Sequence, residues 1–286
     1  MTRVFLLAGQ SNMEGQSVVD LSGNDYNQGR GTLVDVLREP GMRRFAPLWD
    51  GKQVPTRPNV QVAYRPEHRD WIRGPLGAGF TPYADRHHFG PELAFGHKIA
   101  AHVPDPVLLV KCAWGGKSLY RDFRPPSAGG PVGRYYARMI DDFRDAITQL
   151  RGPFTVDAFV WYHGWNDGID PLKSVPEYKE NLVALIQDVR RDVGVPSLPA
   201  VIGEITGAWR DAPPEWERLR AAQKGAAEDR RTQPAVFVPT RTFVRKPEDS
   251  PNPGHGHHEF GNAATGLLVG EALGDAAVRL IRSRRR

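Results

Sequence analysis

Val4-Phe5-Leu6-Leu7-Ala8-Gly9-Gln10-Ser11-Asn12-Met13 is the stretch from which the rest of the chain is read. Its apolar run, rich in strand formers, ends abruptly in Gly-Gln-Ser-Asn. That is the composition of a parallel strand buried on both faces, and it delivers a serine to the strand's carboxyl end. Open α/β sheets hold their ligands at that edge. A Gly-x-Ser turn is also an ordinary way to end a strand or cap a helix, so Ser11 needs partners from elsewhere in the chain.

Moving outward, the same pattern recurs. Pro106-Val107-Leu108-Leu109-Val110-Lys111 runs into Cys112-Ala113-Trp114-Gly115-Gly116-Lys117-Ser118, and the strand from Phe154 to Tyr162 runs into His163-Gly164-Trp165-Asn166-Asp167-Gly168. Shorter strands are expected at 200–204 and 235–238. Helices are expected at 90–101, 132–150, 175–193, 214–228 and 262–281. In the second of these, Tyr136, Met139, Ile140, Phe143, Ile147 and Leu150 fall on one face. In the first, Pro91 and Glu92 occupy the opening turn, where the helix dipole is sufficient reason for an acid. Alternating strands and helices predict an α/β fold, a parallel sheet covered on both faces. No linker or repeat divides the chain, so residues 1–286 read as one domain. Residues 16–88 have little helical periodicity and read as a loop-rich insertion after the first strand. Within it, 60–64 and 71–73 suggest a short peripheral hairpin.

Composition narrows the function. The 286 residues are 40% hydrophobic and 25% charged, enough to bury a full core. The net charge of +5 arises from 38 basic and 33 acidic residues scattered along the chain. No basic stripe interleaved with aromatics points to nucleic acid. Arg282 to Arg286 reads as a solvated tail, and Trp161 as core. Cys112, the one cysteine, excludes an internal disulfide and follows a buried strand, where its thiol is expected to be inert. No apolar run approaches the length of a membrane span. The first strand begins almost at Met1, which leaves no room for a signal peptide: as written the chain reads as cytoplasmic, or as secreted or periplasmic if its start was trimmed.

Acyl transfer by a serine needs a base for the hydroxyl proton and donors where the oxyanion develops. Asn166 offers a side-chain amide, the Gly115-Gly116 turn a backbone N–H unobstructed by a Cβ, and Ser11 its own N–H. The base has candidates in Gly254-His255-Gly256-His257-His258-Glu259-Phe260-Gly261-Asn262. Three close histidines also admit a metal site, or an incidental surface loop.

These pieces together resemble a known family. Gly9-Gln10-Ser11-Asn12-Met13, Ala113-Trp114-Gly115-Gly116-Lys117-Ser118 and Gly164-Trp165-Asn166-Asp167 are similar, in order, to the first three blocks of the SGNH hydrolases. The likeness is to the sialate O-acetylesterase-like and acetylxylan-esterase-like branch, carbohydrate esterase family 6. Gly256-His257-His258-Glu259-Phe260-Gly261-Asn262-Ala263 resembles that branch's closing block, in which a histidine four residues before an asparagine is the base. The resemblance implies a three-layer α/β/α sandwich of flavodoxin-like type. It also implies hydrolysis of O-acetyl esters on carbohydrates through an acetyl-serine intermediate, without metal or cofactor. It assigns Ser11 as nucleophile, His258 as base, and Ser11 N–H, Gly116 N–H and Asn166 as oxyanion donors, with Gly115 an alternative to Gly116. Gln10, Trp114, His163 and Trp165 are expected to touch substrate, the two tryptophans by stacking on a sugar face.

The sequence departs from the family pattern in two places. The aspartate that usually stands three residues before the base is His255, so His258 is expected to be oriented by Asp249, by Glu248 or, preferably, by a backbone carbonyl. The position before Gly164, often glutamine, is His163. Two competing readings are a lipase or thioesterase acting on other acyl groups and a non-catalytic carbohydrate binder.

Overall fold

The computed structural model describes residues 1–207 and 212–283. In chain order its strands are β1 (Thr2–Gly9), β2 (Ser17–Val18), β3 (Arg57–Tyr64), β4 (Ile72–Leu76), β5 (His88–Phe89), β6 (Val107–Ala113), β7 (Phe154–Tyr162), β8 (Ala200–Gly203) and β9 (Ala235–Val238). The helices are α1 (Ser11–Glu14), α2 (Leu33–Val36), α3 (Glu92–His102), α4 (Arg134–Thr148), α5 (Trp165–Gly168), α6 (Ser174–Val193), α7 (Pro214–Glu228) and α8 (Ala263–Ser283). The strongly periodic segments therefore fall where the sequence puts them. The end of the basic tail, Arg284 to Arg286, lies outside the described residues. Among the described residues no helix is long and apolar enough to cross a membrane.

Seven strands form one sheet in the order β4-β3-β6-β1-β7-β8-β9. The strand that carries Ser11 is central, between β6 and β7. Side chains alternate between its faces, as the strand period of two requires. Phe5 and Leu7 pack toward α3 and α8, with the Phe5 and Phe95 rings edge to face at 5.6 Å. Val4, Leu6 and Ala8 join the core under α4, α6 and α7. Both faces of β1 are dry, which is why its sequence is continuously apolar rather than alternating.

Two expectations change. The hairpin within the insertion is not peripheral: β3 pairs in parallel with β6, from Val60 opposite Val107 to Tyr64 opposite Lys111, and extends the main sheet. Val60, Val62 and Tyr64 are buried there, a burial that a hairpin on the rim would not need. The sheet is also mixed, because β4 closes its edge antiparallel to β3. The short β2–β5 ladder ties the start of the insertion to its return.

Candidate active site

The carboxyl ends of β3, β6, β1, β7, β8 and β9 lie along one edge of the sheet, and the residues singled out in the sequence leave from three of them, β1, β6 and β7, or from the loop before α8. β1 ends at Gly9, where a Cβ would stand 2.1 Å from the Tyr162 carbonyl oxygen; only glycine lets β1 and β7 approach this closely before the chain turns. Ser11 opens the single-turn helix α1, closed by Glu14 N–H donating to Gln10 O and Gly15 N–H to Ser11 O, at 2.7 and 2.9 Å. Its hydroxyl has no hydrogen-bond partner among the described residues. Neighbouring Asn12 is buried with both polar atoms of its amide unpaired there.

Gln10 links the first and third loops. Its Nε2 donates to Asn166 Oδ1 at 3.1 Å, and its Oε1 accepts from Gly164 N–H at 2.9 Å. With Asn166 Oδ1 thus engaged, the donor end of that amide faces the glycine turn, where Nδ2 reaches Gly116 O at 3.1 Å. The turn stands in the left-handed region at Gly116, with φ of 70°. A second tie comes from Asp167, whose role the motif alone does not reveal. Fully buried, it accepts the backbone N–H groups of Leu119 and Tyr120 at 2.8 and 3.0 Å. Burial nonetheless pushes its carboxyl up to about 7.

Three expected substrate contacts are corrected. Gln10 is buried, with both ends of its amide used inside the protein. Trp114 is fully buried: its Nε1 donates to Arg65 O at 3.0 Å, and its ring packs against Phe123, Tyr135 and the Arg138 guanidinium. His163 is fully buried between Trp161, 4.5 Å away ring to ring, and Tyr178. It contacts Lys117 O at 2.9 Å through Nε2 and the Tyr178 hydroxyl at 3.2 Å through Nδ1. A carbonyl can only accept, so Nε2 carries the proton, and burial holds the ring neutral with its pKa down to about 3. Trp165 alone of the four is part-exposed; it packs against Trp216 at 4.8 Å and His257 at 5.9 Å.

The loop with His258 lies against α1. Burial first, then the fields of His257 and His255, push the His258 imidazole down to about 4. The His257 and His258 rings are 4.0 Å apart. None of the three expected orienting groups reaches His258: among the described residues its ring makes no hydrogen bond to a carboxylate or a carbonyl. Glu248 and Asp249 are exposed; Glu248 faces Lys246 at 4.0 Å, and the Asp249 carbonyl serves Asn262. Among the described residues no group of three His, Cys, Asp or Glu side chains is disposed to hold a metal ion.

Beneath the first two loops runs a buried polar chain that the sequence did not announce. Tyr64 donates its hydroxyl to Glu14 at 2.6 Å. Burial raises the Glu14 carboxyl, against the opposing pull of Tyr64, Lys111 and the Gly115 amide. Lys111 is fully buried and pairs with Glu92 at 2.7 Å, also donating to Phe80 O at 2.7 Å. Glu92 therefore answers a buried lysine, not only a helix dipole. Cys112 is buried, and burial pushes its thiol up, which disfavours the reactive thiolate. Beside the glycine turn, where Lys117 meets Glu67 at 3.0 Å, lies a groove of about 730 Å³ lined by Arg65, His68, Arg69, Arg134 and Arg138 with Glu67, Asp70 and Asp141.

Residues 1–263 match the family described as carbohydrate esterase, sialic acid-specific acetylesterase. A probable carbohydrate esterase from Arabidopsis thaliana is 25% identical over 202 residues, 70% of this chain and 67% of that protein. The X-ray structure of the Arabidopsis protein superposes with a TM-score of 0.66 at 19% identity, covering 98% of each chain. A carbohydrate acetylesterase from Xanthomonas citri superposes with a TM-score of 0.62 at 16% identity, covering 98% of this chain and 56% of that one.

Proposed function

Because the chain belongs to the carbohydrate esterase family of sialic acid-specific acetylesterases, a family of hydrolases acting on ester bonds, we propose that it removes acetyl groups from O-acetylated carbohydrates by a serine mechanism. Ser11 Oγ attacks the acetyl carbonyl while His258 takes the hydroxyl proton. The carbonyl oxygen becomes an oxyanion, met by Ser11 N–H, Gly116 N–H and Asn166 Nδ2. When it collapses, the C–O bond to the sugar breaks and His258 gives its proton to the leaving sugar oxygen, which departs as a hydroxyl. Water then attacks acetyl-Ser11 by the same proton path, releasing acetate.

The observation that carries this reading is the Gln10 bridge. It holds Asn166 with its donor end toward the glycine turn, in the same neighbourhood as a serine hydroxyl that has no partner among the described residues. Between the two glycines the electrostatics favour Gly116, since the Gly115 amide already stabilises the Glu14 carboxylate. The charged groove beside the turn supports a hydroxylated substrate over an acyl chain, which would need an apolar channel.

The test is hydrolysis of a small acetyl ester by the parent, Ser11→Ala and His258→Ala proteins. Both variants are expected to lose at least about three powers of ten in kcat while keeping the parent's circular dichroism. A quenched parent reaction should yield an acetylated peptide containing Ser11. Full activity in Ser11→Ala would end the serine reading.

A further inference from the structure

Among the described residues His258 has no carboxylate or carbonyl to fix its ring, yet its loop adopts a costly shape. Glu259 and Phe260, neither of them glycine, both sit in the left-handed region with φ of 53° and 59°, followed by Gly261 at 68°. Such conformations persist only where surrounding contacts over-determine them. Phe260 supplies part of the hold: it is buried, and its N–H and carbonyl bond to His255 O and Asn252 N–H at 3.0 and 2.9 Å. Glu259 supplies the rest. Its carboxyl is buried and accepts the Tyr162 hydroxyl at the carboxyl end of β7; Tyr162 in turn meets Thr206 at 2.9 Å.

We propose that Glu259 is a positioning residue, a latch that fastens the His258 loop to Tyr162 and so does the work of the missing orienting aspartate. This rests on His258 as the base. The latch acts on the backbone next to the histidine rather than on its ring: with Glu259 pinned at φ of 53°, the direction in which residue 258 leaves the chain is fixed.

The groups around Glu259 give the latch a pH dependence. Tyr162 faces it from β7 and Thr206 from the segment after β8; on its own loop His258 is adjacent in sequence, with its imidazole held down to about 4. Glu204, behind Thr240, is already bonded to Thr240 N–H and Arg241. Among the described residues no lysine or arginine pairs with Glu259, and burial pushes its carboxyl up to about 7. The protonated acid is at home among hydroxyls; above neutrality it becomes an uncompensated buried charge, and the loop is released.

The experiment compares parent, Glu259→Gln, Glu259→Ala and His258→Ala on p-nitrophenyl acetate from pH 4 to 9, with circular dichroism as a check of the fold. The parent's kcat should fall as pH rises through about 7. Glutamine, a neutral copy of the protonated acid, should keep kcat within about three-fold near pH 6 and abolish that fall. Alanine should lower kcat at least about ten-fold with KM little changed, as expected for a misdirected base. If Glu259→Ala fails to fold, the Glu259→Gln profile decides. An unaltered alkaline fall in Glu259→Gln, or a folded Glu259→Ala with the parent's kcat, overturns the latch alone when His258→Ala is inactive. An active His258→Ala overturns the base assignment and the latch with it.

Discussion

At the scale of single residues, an imidazole whose proton is lost near pH 4 is a weak base but one that is available everywhere above that value. The free base form of His258 should fill in as pH rises through about 4 rather than through the ordinary histidine range, because burial and two neighbouring imidazoles disfavour its cation. The acid limb of kcat/KM on a small acetyl ester is therefore expected near pH 4, and a limb at 6.5 would show that His258 is charged more readily than its surroundings allow. The place of Ser11 at the carboxyl end of β1 was legible because a short local pattern carries it. Trp114, His163 and Gln10 stand at strand exits, a position that suggests openness, yet all three are buried. The signal of that burial was present: carried past the last apolar residue, the period of two puts Trp114 on the face of Val110 and Cys112, His163 on that of Trp161, and Gln10 on that of Leu6 and Ala8, all of them core. No comparable signal reveals Glu259, since its partner Tyr162 is 97 residues away and the left-handed turn that aims it is a property of the folded loop.

At the scale of elements, the glycine turn after β6 is held from two sides, by Asn166 at Gly116 and by Asp167 at Leu119 and Tyr120, so its backbone is fixed before substrate arrives. Nothing lies within 4 Å of where a Gly116 Cβ would stand. Gly116→Ala would therefore strain the backbone without a clash. Its expected cost is about 1–2 kcal/mol in stability and at least ~10-fold in kcat, read by thermal unfolding and ester hydrolysis. A variant with the parent's kcat would take Gly116 out of the oxyanion site. The long helices and β6 and β7 were legible from periodicity, with boundaries off by one or two residues. β3 was legible as a strand at 60–64 but not as part of the main sheet, because Arg57, Pro58, Asn59 and Gln61 give it the polar look of an edge although its other residues pack into the sheet.

Across the whole molecule, desolvated imidazoles and buried carboxyls work against each other. His97, His163 and His258 are held neutral, with pKa values pushed down to about 4, 3 and 4, so their contribution to stability is lost as pH falls from the ordinary histidine range toward those values. Asp167 and Glu259 are pushed up to about 7, and what they contribute is lost as pH rises through that value. The two slopes overlap and oppose between pH 4.5 and 6.5, where the unfolding midpoint is expected to stay within about 5 °C. A calorimetric series with a steep monotonic trend across that window would show one set to be wrongly placed. The position of β1 has a consequence of another kind. In chain order β1, the centre of the sheet, comes before both its neighbours, β6 and β7, which end only at Ala113 and Tyr162. At ribosomal speeds Val4 to Ala8 waits on the order of ten seconds for both edges to be covered. Through that interval the nascent chain carries an unpaired apolar ribbon, so slowing translation before residue 162 should raise misfolding and chaperone demand, and a circular permutant that moves β1 behind β6 should shorten the exposure.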